Sequence, residues 1–262
     1  MYDYRTLILC ASLLVDGDYY GMVDLISNGK EFVTKELLER AKNIKSKYIT
    51  ILDDDFPPIL KEVYHPPMII YYYGDISLLQ DLKSNVAIIG SREPSTTVVI
   101  NTVAIAKQVV TSGYNVVSGL AYGVDYHAQN TAVLNGGKAI AVLGGGIDNC
   151  YPKVNYKLYE EIKRTGLVIS EYPENSEPKK DHFPYRNRLI SALCDKIIVV
   201  EAKRHSGTST TVAWALTNIY RDILCVPAPF GEDSLCNALI RDGCGCIATM
   251  EDLQDELPPK KS

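Results

Sequence analysis

Arginine alternates with aromatic and amide side chains in one short motif, F-P-Y-R-N-R-L-I at 183–190. The guanidinium groups of Arg186 and Arg188 are planar, forked donors that suit phosphate, and Asn187 can bond a base edge or a backbone group. The aromatic rings of the motif can stack on a base. A solvated basic loop with one aromatic ring anchored in the core accounts for the same residues. The motif alone therefore leaves a nucleic-acid site and a structural loop as alternatives.

Glycine and small hydroxyl residues follow directly after four strand-like runs, at residues 90–92, 118–125, 144–148 and 201–211. Glycine lets a backbone approach a ligand, and the amides of a helix N-terminus favour an anion. Each loop alone is explained by a tight turn and a helix cap. Four such loops on one edge of a sheet favour a phosphate site. The chain contains neither G-x-x-x-x-G-K-[ST] nor G-x-G-x-x-G, which excludes a Walker-type loop and disfavours a dinucleotide-dependent dehydrogenase.

Candidate catalytic groups are few and scattered. The four histidines lie far apart in the sequence, and the acids at strand ends, Glu171 and Glu201, have structural roles that are at least as plausible as catalysis. Cys244 and Cys246 form a lone C-x-C pair without a second pair or a nearby histidine, which is poor support for zinc. We therefore predict a binding protein that is not an enzyme, with no metal and no cofactor.

The elements that must position these loops follow a regular alternation from residue 86 onward. Apolar, β-branched runs occur at 86–89, 116–117, 139–143, 167–169, 197–200 and 223–226, and helical patterns lie between them at 97–110, 124–134, 157–163 and 210–219. Continuous apolar strands between helices indicate a sheet that is covered on both faces. We predict an α/β fold with a Rossmann-like, doubly wound, mostly parallel sheet, which binds ligands at the carboxyl ends of its strands.

The first 47 residues differ from the rest in the spacing of their apolar residues. Helical spacing over 4–15, 21–26 and 35–44 predicts a small N-terminal helical subdomain, residues 1–47, with Thr34 as an N-cap. Strand-like runs at 49–52 and 68–73 follow, separated by prolines. The predicted core covers residues 48–257, and residues 258–262 form a short tail, with no winged-helix domain expected.

Composition fits a globular protein, and the charge is uneven. The 262 residues carry 27 basic and 32 acidic side chains, a formal charge of −5, which argues against a uniformly basic coat protein. Residues 179–205 nevertheless hold seven basic and three acidic groups, 7 − 3 = +4. An odd number of cysteines, the lack of a long apolar run and the lack of a basic leader predict a cytoplasmic protein without a membrane contact.

Seven motifs occur in the order and spacing of one known family. They are G-S-R at 90–92, S-G-L-A-Y-G-V-D at 118–125, A-V-L-G-G-G-I-D at 141–148, S-E-Y-P at 170–173, F-P-Y-R-N-R-L-I at 183–190, V-V-E-A at 199–202 and S-G-T at 206–208. Over about residues 50–255 the chain resembles the DprA/Smf family. The resemblance implies an extended Rossmann-like core that forms a homodimer. It also implies a single-stranded DNA-binding protein of bacterial transformation, which protects incoming DNA and helps load a RecA-type recombinase.

The resemblance also implies roles for individual residues. Arg92, Arg186 and Arg188 would contact the DNA backbone, Asp125 would brace its loop, and Gly123 would be structural. The other residues implied for the DNA and phosphate site lie in the strand-end loops or in the basic segment: Ser118, Gly119, Lys179, Lys180, Asn187, Ser206, Gly207 and Thr211. The chain departs from the family at Ala128-Gln129, where an A-H pair is usual, and at Ala228, where V-P-G is usual.

The alternative is a nucleotide-binding or nucleotide-hydrolysing protein of the related phosphoribohydrolase-like fold. That group uses P-G-G-x-G-T-x-x-E, and alignment on Gly207-Thr208 places Thr211 at the glutamate position. The missing acid counts against N-glycosidic hydrolysis. A third possibility is a sensor domain that binds a small nucleotide in the same pocket.

Overall fold

The computed structural model describes residues 3–260. Over this part of the chain the strands are β1 (Lys47–Thr50), β2 (Ile69–Gly74), β3 (Asn85–Gly90), β4 (Asn115–Ser118), β5 (Ala139–Val142), β6 (Leu167–Ser170), β7 (Lys196–Glu201), β8 (Asp222–Cys225) and β9 (Gly245–Cys246). The helices are α1 (Tyr4–Leu14), α2 (Tyr19–Ser27), α3 (Lys35–Lys42), α4 (Thr96–Thr111), α5 (Val124–Leu134), α6 (Tyr156–Thr165), α7 (His182–Ala192), α8 (Gly207–Trp214), α9 (Leu235–Arg241) and α10 (Met250–Glu256). A π-helical turn over Ala215–Ile219 continues α8.

All the strands join one sheet in the order β1-β2-β6-β5-β4-β3-β7-β8-β9. The pairs from β6 across to β9 are parallel, and β1 and β2 add an antiparallel edge beside β6. The chain winds in one direction from β3 through β4, β5 and β6, then returns to β7 on the other side of β3. The prediction of an α/β fold with a doubly wound, mostly parallel sheet is confirmed, and the change of direction lies between β3 and β7.

Both faces of the sheet are buried, which explains the continuous apolar runs in the sequence. Along β3, Val86 and Ile88 belong to one buried cluster, and Ala87 and Ile89 belong to the cluster on the opposite face. Side chains alternate between faces with a period of two, so a strand between two helical layers must be apolar at every position. This packing holds the strands rigidly and fixes where their carboxyl ends lie.

The N-terminal helices pack on the same sheet. Ile8 and Leu9 of α1 lie in the cluster that contains Tyr71 of β2, and the Tyr71 hydroxyl donates to Ser12 Oγ at 2.9 Å. Thr34 caps α3 by accepting the Leu37 amide at 3.2 Å, at the predicted N-cap. The predicted division between residues 47 and 48 falls at the start of β1 and stays a prediction. Residues 1–2 of that subdomain and residues 261–262 of the predicted tail lie outside the described residues.

The F-P-Y-R-N-R-L-I motif forms most of α7 rather than a basic loop. Pro184 stands at the third position of the helix, in the first turn, where a backbone N–H has no partner within the helix. Residues 186–192 are buried against the sheet. The motif is therefore a helix of the protein interior, exposed only at its beginning.

Candidate nucleic-acid interface

The strand-end loops meet at the carboxyl edge of the sheet, beside the point where the winding changes direction. Ser91-Arg92 follows β3, the loop 119–123 follows β4, and the loop 143–151 follows β5. Thr208 at the start of α8 donates its hydroxyl to the Gly90 carbonyl at 3.0 Å, which ties the loop after β7 to the loop after β3. Parallel sheets of this kind bind ligands at this edge.

A shallow cleft lies over the ends of β3, β4 and β5. Arg92 is exposed at its rim, and its guanidinium carbon lies 5.8 Å from the centre of the Phe183 ring. The Tyr151 ring lies 5.5 Å from Phe183, centre to centre, and Tyr122 completes the aromatic wall. Tyr122 and Tyr151 are each half-exposed. The cleft thus combines an exposed guanidinium with ring faces that solvent can reach.

Arg186 forms the buried floor of this cleft. It is 3% exposed, and its Nη1 donates to the carbonyls of Gly119, at 3.2 Å, and of Val142. Burial lowers the pKa of the Arg186 guanidinium to about 10, against the opposing effect of the Asp125 charge, so the group remains a cation at neutral pH. Arg186 therefore holds the loops after β4 and β5 together beneath the cleft.

Asp125 and Gly123 hold the loop after β4. The Asp125 carboxylate accepts a hydrogen bond from the Gly119 amide at 3.0 Å. Burial raises the pKa of Asp125, and the charge of Arg186 opposes this shift. Gly123 has φ 72°, and a Cβ there would lie 2.3 Å from the Ser91 carbonyl oxygen, so this close approach requires glycine. These contacts hold the loops after β3 and β4 at a fixed spacing.

Arg188 is placed where it has no group left for a phosphate. It is 0% exposed, and its Nη atoms form a bidentate pair with Glu171 at 2.6 and 2.5 Å. The remaining donors reach backbone carbonyls, with Nε to Tyr64 at 3.1 Å, Nη1 to Tyr185 at 3.1 Å and Nη2 to His65 at 2.9 Å. Arginine has five N–H donors, and each of these has an acceptor. The role implied for Arg188 as a DNA contact is therefore corrected to a structural one, in which it joins β6, α7 and the chain at 64–65.

Other residues implied for the site divide between the interior and the surface. Ser118 is fully buried and donates to the Ile88 carbonyl at 2.8 Å, and Thr211 is buried as well. Asn187 donates to the Gly207 carbonyl at 3.2 Å and to Thr210 Oγ1 at 3.1 Å, so it clamps α7 to the first turn of α8. Solvent reaches the rest in differing degree, in the loops before α7 and α8 and at the first residue of α8: Lys179, Lys180, Ser206 and Gly207.

Two residues of the cleft were not singled out from the sequence. Tyr122 and Tyr151 each lie within or directly after a glycine-rich loop that follows a strand. The signal for both tyrosines in the sequence is their position, because an aromatic side chain in a glycine-rich loop after a strand has few neighbours that could bury it. Among residues 3–260 no group of three or more His, Cys, Asp or Glu side chains is placed to hold a metal ion. No helix within that range has both the length and the apolar character needed to cross a bilayer.

Comparison with known proteins identifies close similarity over most of the chain. A family model described as DNA recombination-mediator protein A matches residues 47–258. The DNA processing protein DprA of Streptococcus pneumoniae is 39% identical over 209 residues, which cover 79% of this chain and 73% of that protein.

Two solved structures share the fold. The X-ray structure of DNA processing protein A from Streptococcus pneumoniae has a TM-score of 0.76 and 31% identity, and the match covers 97% of this chain and 93% of that one. The corresponding protein from Helicobacter pylori, solved for insight into its single-stranded DNA binding mode, has a TM-score of 0.72 and 30% identity. That match covers 82% of this chain and 96% of that one.

Proposed function

The chain belongs to the DNA recombination-mediator protein A family, and on this premise we propose that it binds single-stranded DNA, without sequence preference, at the cleft of Arg92, Tyr122, Tyr151 and Phe183. The observation that carries the proposal is the exposed Arg92 guanidinium beside accessible aromatic rings. Arginine supplies a forked contact to phosphate, and the rings offer stacking surfaces to bases of any identity. A duplex keeps its bases paired and stacked, so this combination favours a single strand.

The positions of the buried arginines support the same proposal in an indirect way. Arg186 holds the Gly119 and Val142 carbonyls beneath the cleft, and Arg188 fixes the helix that carries Phe183. The exposed Lys179 and Lys180 stand directly before that helix and add charge on its approach. Phosphate contacts therefore come from Arg92 and from the exposed lysines, and the interior arginines maintain the shape of the site.

We further propose that the protein acts in the cytoplasm as a homodimer, where it protects incoming single strands and helps load a RecA-type recombinase during transformation. The family's description as a recombination mediator supports this wider role. The names of the family and of its members denote DNA processing and the mediation of recombination, not an enzyme. Thr211, at the position of the hydrolase glutamate, is a buried hydroxyl, which adds no support for nucleotide hydrolysis.

Fluorescence anisotropy with a labelled oligothymidine tests the proposal through Arg92→Ala. Arg92 is the informative position because its removal leaves no buried partner unpaired. A lost charge-assisted contact to phosphate is expected to weaken binding by roughly tenfold and to reduce the slope of log affinity against log salt by about 0.7. An unlabelled duplex should compete poorly with the oligothymidine.

Arg164→Ala is the matched control. It removes the same charge from an exposed arginine at the end of α6, which leads into β6 and so lies at the amino edge of the sheet. Equal binding by the Arg92 and Arg164 variants, or no binding of oligothymidine by the unaltered protein, would contradict the proposed site.

A further inference from the structure

A second group of aromatic side chains lies outside the cleft, on the far side of α7. Tyr64 and Trp214 are stacked with ring centres 5.8 Å apart, and the His65 ring lies 3.7 Å from Tyr64. The Tyr20 hydroxyl lies 3.1 Å from His65 Nε2. Tyr20 is 65% exposed and Tyr64 is 53% exposed. We call these four residues, Tyr20, Tyr64, His65 and Trp214, the aromatic platform.

The aromatic platform is joined to the cleft through α7 and α8. Arg188 on α7 holds the backbone carbonyls of Tyr64 and His65, while Phe183, less than two turns earlier on the same helix, lines the cleft. Asn187 contacts Thr210, and Trp214 follows Thr210 by four residues on α8, so the two lie on one helix face. The surface therefore runs from the cleft, past the first turn of α8, to the stacked rings.

The charges along this surface suit contacts with phosphates near α8 and contacts with bases at the aromatic platform. Lys203 and His205 are exposed directly before α8. The exposed acids next to the platform in sequence are Asp18 and Glu62, and Asp18 is engaged as the cap of α2. Stacking uses the faces of the rings and requires no cation at the platform itself.

We propose that the aromatic platform is a second subsite for single-stranded DNA, on which bases of a strand already held in the cleft stack against Tyr64, Tyr20 and the partly exposed Trp214. This inference rests on the proposed binding of single-stranded DNA. It assigns a DNA contact to the N-terminal helices through Tyr20 and to a position outside the strand-end loops through Tyr64. A strand too short to cross α8 would occupy the cleft alone.

Trp214 makes the proposal directly measurable, because it is the single tryptophan of the chain. A base that stacks on the platform should quench its emission. The experiment titrates the full chain with unlabelled oligothymidines of about 4 and about 16 nucleotides, which bracket the span of known single-strand sites. Binding of each is followed in parallel by anisotropy competition. The long oligothymidine should quench Trp214, and the short one should bind at higher concentration without quenching.

Tyr64→Leu and Tyr20→Leu remove a ring face at an exposed position, and Tyr4→Leu is the matched control. Tyr4 is also 65% exposed, but its ring contacts Lys30 and does not belong to the aromatic platform. Tyr64→Leu should weaken binding of the long oligothymidine about fivefold or more and leave the short one unchanged, since one stacked base contributes at least that factor. Circular dichroism confirms that each variant is folded.

The outcomes separate this inference from the proposed function. If anisotropy shows no binding of any oligothymidine, the proposed function fails, and the second subsite fails with it. If binding occurs but Trp214 is not quenched, or is quenched equally by both lengths, the aromatic platform is not a subsite. The proposed binding of single-stranded DNA at the cleft is unaffected by that result. Equal behaviour of Tyr64→Leu and Tyr4→Leu would also overturn the second subsite.

Discussion

Replacement of Glu171 by glutamine should destabilise the protein strongly, because it leaves a cation in the interior without a counter-charge. Arg188 is fully buried and Glu171 nearly so, and the two share a bidentate pair. Glu171→Gln keeps the shape of the side chain but turns an amide N–H₂ toward the guanidinium donors. Removal of one partner of a buried ion pair costs about 3–5 kcal/mol of unfolding free energy. For a chain of this size the midpoint of thermal unfolding should fall by roughly 6–20 °C.

Glu161→Gln provides the comparison within the same protein. The Glu161–Arg164 pair has a similar N···O distance, 2.7 Å, but its side chains are 49% and 71% exposed. Exposed pairs contribute about 0–1 kcal/mol, so this variant should unfold close to the unaltered protein. Urea unfolding followed by Trp214 emission and circular dichroism measures both variants. Equal urea midpoints for Glu171→Gln and Glu161→Gln would refute the argument that an unpaired charge in the interior destabilises the protein more than one at the surface.

A double variant, Glu171→Leu with Arg188→Met, separates the cost of an unpaired buried charge from the cost of the hydrogen bonds that Arg188 makes to the backbone. Apolar replacement of both partners of a buried pair is often neutral, whereas loss of one is not. The double variant should therefore be more stable than Glu171→Gln, although the Tyr64 and His65 carbonyls lose their donor. A double variant no more stable than Glu171→Gln would assign the cost to those backbone bonds instead.

Two further predictions test the loop packing and the state of the thiols. Gly119→Ala should lower the free energy of unfolding by about 1–3 kcal/mol, because the new Cβ would lie 2.5 Å from Arg186 Nη2 and 2.9 Å from Asp125 Oδ2. The displaced loop should also bind oligothymidine more weakly. Gly207→Ala, with nothing within 4 Å of the new Cβ, should change stability little; urea titration compares the two. Burial raises the pKa of Cys150 to about 11 and of Cys194 to about 12, so both stay protonated near neutral pH. Ellman's reagent should react rapidly with the exposed Cys246, more slowly with the partly exposed Cys244, and with the five buried thiols only in urea. Fast labelling of a variant that carries both Cys244→Ser and Cys246→Ser would contradict this.

The regular part of the fold was predictable because its signals are local. Each predicted strand run from residue 86 onward overlaps a strand of the sheet, and the predicted helix 124–134 has the observed bounds. Buried parallel strands require apolar residues along their length, and glycine, proline or a polar residue follows each run. The expected position of the site, at the carboxyl edge, follows from the same topology.

The burial of Arg186 and Arg188 was not predictable, because their partners are distant in the sequence. The acceptors for Arg188 include backbone carbonyls 124 and 123 residues away. A helix that buries polar residues at successive positions has no amphipathic period, so the motif carries no helical signal. Only the folded arrangement brings those acceptors to α7.

The charge sum of residues 179–205 was misleading for a related reason. Two of its seven basic groups are the buried Arg186 and Arg188. Lys196 pairs with Glu256 and Asp222, and Arg204 pairs with Asp233, all acids outside the segment. The surface charge of the segment is therefore lower than +4 and is carried by its exposed lysines, while Arg92, from another part of the chain, provides the cation at the cleft.

Helix α7 explains why this chain places two arginines in its interior. Successive residues of this helix point to different neighbours: Phe183 and Arg186 to the cleft, Asn187 to α8, and Arg188 to Glu171 and the chain at 64–65. A helix moves as a rigid unit over two turns, so a rotation that displaced Phe183 would also break the bonds of Arg188. The buried ion pair thus fixes the cleft and the aromatic platform relative to each other. Stacking of one strand on both surfaces depends on that fixed relation, since the nucleotide spacing of the strand must match the distance between them.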